Sequence, residues 1–260
     1  MTPRPFLLIC VILITSACGG GTRGARDGGG PSSRLTVSAA ASLTDAFTDI
    51  GEAFEDANPG VGVTLNFGPS DGLATQIVEG APVDVFASAS GTWIDAIDRD
   101  GPGAIRRTDF ARNALAILVP TDDPAGIDEV DDLARDGVQL VLAAEGVPAG
   151  DLAREMLANA GIADAALANV VSNEEDVRGV VTKVLSGDAD AGIAYVTDVT
   201  DDVEDEISLV EIPADVNVIA TYPIAVVSGA QEEDLANRFI DFVLADGQRT
   251  LADHGFLSAP

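Results

Sequence analysis

Few residues in this chain can do chemistry. His254 is the only histidine, and Cys10 and Cys18, both near the N-terminus, are the only cysteines. A zinc site needs ligands that such a chain largely lacks, and no disulfide framework can be built from it. One histidine would suffice for a Ser-His-Asp triad, but no nucleophile-elbow sequence accompanies it. His254 reads as a structural or surface residue. What remains is hydrogen-bond chemistry. The stretch SAAASLTDAF, residues 38–47, sets Ser42 between the strand-like Leu35, Thr36 and Val37 and a run with Leu43, Phe47, Ile50 and Phe54 at helical spacing. The first turn of a helix leaves N–H groups without acceptors and carries a partial positive charge. A serine there can cap the helix, with Asp45 completing a capping-box-like pair. It can also help to hold an anion on those N–H groups. The local sequence admits both.

The elements that must position such a residue alternate along the chain. Strands are predicted at 35–39, 61–67, 83–88, 114–120, 139–143, 191–195, 209–212 and 219–227. Helices are predicted at 42–56, 71–79, 91–99, 148–160, 174–186 and 232–244, with a short one inside 126–135. In 174–186 the stripe is Val177, Val180, Val181, Val184 and Leu185. Alternating order of this kind implies an α/β fold with mainly parallel sheets, which bind ligands at strand carboxyl ends beside helix starts. Two long β-runs with polar breaks, 112–120 and 218–227, look like crossovers between two lobes. The expected division is 35–112 plus 223–260 for lobe 1 and 113–222 for lobe 2.

At 47% hydrophobic residues the 260-residue chain is globular. It carries 43 acidic and 14 basic residues, Lys183 being the only lysine, for a net charge of −29. That field repels nucleic acid and anionic lipid headgroups, so no nucleic-acid partner is expected. It also repels small anions at long range, so any anion site must act through close, directed hydrogen bonds.

Residues 1–18, MTPRPFLLICVILITSAC, have a basic residue, an apolar run from Phe6 to Ile14 and small residues before Cys18. They resemble the signal peptide and lipobox of bacterial lipoproteins, with Thr15 where that motif usually has leucine. The resemblance implies lipidation at Cys18. The alternative is an ordinary secretory signal cut nearby. The Gly/Ser-rich 19–34 reads as a flexible tether to the outer face of a membrane, or the protein is periplasmic.

Seven stretches in order resemble the periplasmic molybdate-binding proteins of ABC import systems. They are AAASL (39–43), FGPS with LATQI (67–70, 73–77), GAPVDVFASA (80–89), RN (112–113), VPAG (147–150), DVR (176–178) and GIAY (192–195). The likeness runs from about residue 35 to the C-terminus. It implies a two-lobed periplasmic-binding-protein fold (type II) closing on molybdate or tungstate in the cleft, with no enzymatic activity and no cofactor. By position it assigns the oxyanion contacts to Ser42, Ser70, Ala149, Val177 and Tyr195. The two serines would give hydroxyl and backbone N–H, Ala149 and Val177 backbone N–H, and Tyr195 its phenol. Molybdenum would be present only within the bound oxyanion. The implied partners are an ABC permease, reached by a monomeric receptor, and the membrane through the lipid anchor.

The chemistry of these positions agrees with that assignment. Four of the five stand at predicted helix starts, and none is cationic. Fully ionised molybdate offers only acceptors, so a site built of donors suits it and penalises protonated ligands such as hydrogen phosphate. Exclusion of sulfate must rest on cavity size. Pro69 has no N–H to offer. Asp71 is expected to cap a helix over 72–79 and to point away from the anion, since a carboxylate facing a dianion is costly. Two other readings stand beside this one: a receptor for a sulfate-like oxyanion or other small solute on the same scaffold, and a secreted α/β hydrolase that would need His254 beside a nucleophilic serine.

Overall fold

The computed structural model describes residues 32–259. Cys18 and most of the expected tether lie outside that range. Its elements in chain order are β1 (Ser33–Ala40), α1 (Thr44–Ala57), β2 (Val61–Gly68), α2 (Ser70–Val78), β3 (Val85–Ala87), α3 (Gly91–Asp100) and β4 (Ala104–Pro120), followed by β5 (Leu140–Ala143), α4 (Pro148–Asn159), α5 (Ala163–Ala168), β6 (Val170–Glu174), α6 (Val177–Leu185) and β7 (Ala191–Tyr195). The chain closes with β8 (Ile207–Val210), β9 (Ile219–Val227), α7 (Glu233–Leu244), α8 (Gly247–Asp253) and β10 (Leu257–Ser258). Since β1 starts at Ser33, the last residues of the segment expected as a tether are strand.

The strands follow the order β2-β1-β3-β9-β4-β7-β5-β6, with β8 and β10 also paired to β4. Strand β4 belongs to two sheets. Its first part, through Ala114, pairs antiparallel with β9. Its second part, Leu115 to Pro120, pairs antiparallel with β7 and β8. The sheets are mixed, which corrects the expectation of mainly parallel pairing. Strands β1 with β2 and β3, and β5 with β6 and β7, run parallel. The antiparallel pairs all involve β4 or β9. These are the strands predicted as crossovers, and a chain that passes into a second lobe and returns must traverse the junction in both directions.

Helix α1 shows why the elements pack where they do. Ala46, Phe47, Ile50 and Phe54 recur at three-and-four spacing and are buried. They meet Phe110 and Phe239, with Phe47 centroids 5.6 and 6.2 Å from those rings, and Phe54 5.2 Å from Phe239. The contacts are tilted or edge-on, as aromatic quadrupoles favour. The short helix expected within 126–135 is present as a 3-10 turn, Val130–Ala134. There Asp132 Oδ2 accepts the N–H groups of Asp128 and Glu129 at 2.9 and 3.1 Å, holding the chain in a tight turn instead of a longer helix.

Candidate oxyanion site

Strand β1 delivers Ala39 and Ala40 to the junction and Ala41 follows them, all three buried. Ser42 follows inside a 3-10 turn, Ala41–Leu43, and α1 starts two residues later. It is therefore not an N-cap, and no side chain caps either helix start. This corrects the capping reading. Without that task, Ser42 Oγ lies 2.9 Å from Tyr222 Oη.

Helix α2 starts directly at Ser70, behind Pro69 in extended geometry (φ −63°, ψ 136°). Ser70 Oγ accepts the Ala89 N–H at 3.2 Å, which leaves the hydroxyl proton free to be donated elsewhere. The expectation for Asp71 is corrected as well. Pro69 occupies the cap position and Asp71 sits within the first turn. There it complements the helix dipole and does not line the cavity.

From the other side come α4 and α6. Helix α4 opens with Pro148, whose missing N–H would have had no helical acceptor. Gly150 is required behind it. A Cβ there would lie 2.2 Å from the Ala144 carbonyl oxygen and 2.4 Å from that of Ala143. That close approach sets the α4 start, with Ala149, against the end of β5. Helix α6 is capped by Asp176, whose Oδ1 accepts the Gly179 N–H at 3.0 Å, and Val177 is its first residue. Strand β7 ends at Tyr195.

All five predicted positions line one buried cavity, and none is more than 8% exposed. Ser42, Ser70, Ala149 and Val177 each stand at the start of a helix or 3-10 turn, where N–H groups lack an acceptor within their own helix. Tyr195 Oη is buried and has no hydrogen-bond partner in the protein. Burial pushes the Tyr195 phenol well above its ordinary value, and the neighbouring Tyr222 adds to the shift, so Oη keeps its proton and can act as a donor. No Lys, Arg or His lines the cavity. The one charged residue on its wall is Asp176, whose carboxylate is engaged at the α6 start. The cavity leaves about 20 Å³ for the centre of a water-sized sphere. Adding the radius of that sphere, the void admits a body of roughly 3 Å radius. That is the scale of a single four-oxygen anion. Among the described residues no group of three or more His, Cys, Asp or Glu could hold a metal ion.

Several residues of this region escaped the sequence reading. Tyr222 and Asn113 lie fully buried behind Ser42. Asp198, also buried, accepts the Tyr195 N–H through Oδ2 at 2.9 Å. Burial pushes the Asp198 carboxyl up to about 7, against the lowering effect of that N–H. Trp93, on α3, donates Nε1–H to the Gly146 carbonyl at 3.1 Å. Arg178, on α6, pairs with Asp45 on α1, Nη2 to Oδ2 2.6 Å. These last two contacts bridge from helices of the first sheet to the second. His254 instead pairs with Asp49, Nε2 to Oδ2 2.8 Å, away from the cavity.

Comparison with known proteins points the same way. Residues 35–257 match the family model described as bacterial extracellular solute-binding protein. The chain is 37% identical over 245 residues to the molybdate-binding protein ModA of Mycobacterium tuberculosis, covering 94% of this chain and 89% of that one. A solved substrate-binding domain of a putative molybdenum ABC transporter from Clostridium difficile is 31% identical, with a TM-score of 0.68, covering 88% of this chain and all of that one. The Azotobacter vinelandii periplasmic molybdate-binding protein shares the fold, with a TM-score of 0.75 at 21% identity over 87% of this chain and all of that one. With the match running through nearly the whole folded region, both sheets and the cavity between them included, the chain belongs to the bacterial extracellular solute-binding proteins.

Proposed function

We propose that the chain captures molybdate, and tungstate with it, on neutral hydrogen-bond donors and hands the anion to the membrane subunits of an ABC importer. As a solute-binding protein it is not an enzyme. The observation that carries the reading is the buried cavity where helix starts from both sheets, two serines and the unpartnered Tyr195 phenol converge without a cationic side chain. The five contacts in it offer donors, and a fully ionised tetrahedral oxyanion offers acceptors only, so each oxygen can be satisfied with no donor left facing another. Ser42, Ser70, Ala149, Val177 and Tyr195 are the proposed contacts. We assign residues 35–112 with 223–260 to one lobe and 113–222 to the other, hinged where β4 and β9 cross, so that closure buries the anion.

Outside the described residues, the proposal has Cys18 lipidated and the receptor working as a monomer tethered at the outer face of the cell membrane. Replacing Cys18 by alanine then releases the protein from the membrane fraction, and mass spectrometry of the mature chain reads the lipid directly. The central test is calorimetric titration of the ligand-free protein in phosphate-free buffer. One-to-one heat with molybdate and tungstate, and none with sulfate or hydrogen phosphate, is the expected result. Sulfate binding as tight as molybdate binding would refute the size filter. No heat with any of the four from folded protein would refute an oxyanion ligand.

A further inference from the structure

Behind the cavity lies a chain of polar groups that the five proposed contacts do not include. Asn113 sits on β4 and Tyr222 on β9, where Ala111 pairs with Tyr222 and Asn113 with Ala220. Both side chains are fully buried. Asn113 Nδ2 donates to Thr197 Oγ1 at 2.7 Å and to Tyr222 Oη at 3.5 Å. Tyr222 Oη is 2.9 Å from Ser42 Oγ. The Tyr222 ring is wedged among Phe110, Tyr195 and Phe256, with centroids 6.3, 5.8 and 5.6 Å away, so the hydroxyl has little freedom to turn elsewhere.

The direction of the chain follows from what each group can do. An amide nitrogen only donates, so Tyr222 Oη accepts from Asn113 and has one proton to give. The Tyr195 hydroxyl also faces it, but besides Asn113 the group within hydrogen-bond distance is Ser42 Oγ, 2.9 Å away. Burial raises the Tyr222 phenol further above an already high value, with the Asp198 charge adding to it, so that proton stays on the oxygen. Ser42 Oγ then accepts from Tyr222, and its own proton is left for the cavity.

We propose that Tyr222 is a positioning residue for the anion site: it fixes Ser42 Oγ as an acceptor on one side and thereby as a donor to the bound oxyanion on the other. Tyr222 does not touch the anion. It sets the polarity of a hydroxyl that would otherwise be free to present a lone pair to a dianion, which would be repulsive. Asn113 supports the arrangement from behind. The inference rests on the oxyanion reading above and extends it to residues that do not line the cavity.

The test is a double-mutant cycle read by calorimetric titration with molybdate on the full protein. Tyr222→Phe keeps the ring and its aromatic contacts and removes only the hydroxyl. It is expected to weaken molybdate binding about three- to tenfold, the range for one neutral hydrogen bond. Ser42→Ala is expected to weaken it at least as much, and the double variant to match Ser42→Ala alone, because Tyr222 acts only through Ser42. Asn113→Ala enters the same cycle from behind and is likewise expected to lose its effect once Ser42 is alanine. Wild-type affinity in Tyr222→Phe overturns the proposal. So do single-variant losses that multiply in the double variant, the result expected if Tyr222 only supports the fold. A folded wild-type protein that takes up no molybdate overturns the oxyanion reading, and this proposal with it.

Discussion

Removing the Tyr195 hydroxyl should move stability and affinity in opposite directions. In the ligand-free protein Oη is buried beside the cavity and donates to no protein group. A buried hydroxyl without a partner costs about 1 to 3 kcal/mol. Tyr195→Phe deletes that group and keeps the ring against Tyr222. The ligand-free protein should therefore gain on the order of 1 kcal/mol, seen as a melting point about 2 to 4 °C higher for a chain of this size. With an oxyanion bound, the same hydroxyl makes a charge-assisted hydrogen bond worth about 1.5 to 3 kcal/mol. Its loss should weaken molybdate binding roughly ten- to hundredfold. Thermal melts without anion and titrations with molybdate give the two numbers separately. A variant that melts lower without ligand and binds molybdate as well as wild type would refute the reasoning, because the phenol would then be a structural group with a partner inside the protein.

Three other perturbations have clear expected outcomes. Asp198 takes up a proton on folding between the usual carboxylate range and about pH 7, so its burial subtracts stability progressively as pH rises through that window and by a constant amount above it, on the order of 4 kcal/mol. Asp198→Asn should flatten that slope, and urea midpoints at pH 5 and pH 8 would show whether the wild-type difference disappears. Gly150→Ala would press a methyl group onto the Ala143 and Ala144 carbonyl oxygens, costing about 3 kcal/mol or more; chemical denaturation with a midpoint near wild type would mean that α4 can shift to make room. Trp93→Phe removes the Nε1–H bond to Gly146 while keeping an aromatic side chain, and should weaken molybdate binding about two- to tenfold, with no change in affinity counting against a link made on lobe closure.

The sequence made some of this legible and not the rest, and the reasons differ by element. Strands β7 and β9 match their expected bounds, because each is a dominantly apolar run of strand length. Strand β4 starts ten residues before the expected 114, since its first part alternates exposed and half-buried residues and reads as a polar connection. Strand β6 was missed because Val170–Glu174 is half-buried to exposed, leaving no apolar stripe to see, and its last residue was read into the next helix. Short α5 and α8 lack enough turns to show a period. At the site, the five positions came from resemblance, and the fold brings them around one void. Periodicity cannot see such a convergence, since the five residues are spread from residue 42 to residue 195. The capping expectation for Ser42 is not met because Ser42 lies inside a 3-10 turn and Leu43 stands between it and α1. Tyr222 and Asn113 did leave a signal: the polar breaks inside the two long β-runs. Those breaks pair across the sheet, Arg112 with Thr221 and Ala111 with Tyr222, a register that the sequence alone does not disclose.

The position of β9 in the first sheet has a consequence for how the chain is made. It lies between β3 and β4, pairing Val85 with Val226 on one side and Asp109 with Pro223 on the other. Until the ribosome has delivered that late segment, β3 and β4 have no strand to join them, and the aromatic cluster around Phe110 lacks Tyr222, Phe239 and Phe256. Pairings across such long sequence separations form slowly. Completion of the first sheet therefore waits on a segment near the end of the chain, and the sheet closes only after that segment returns from the second.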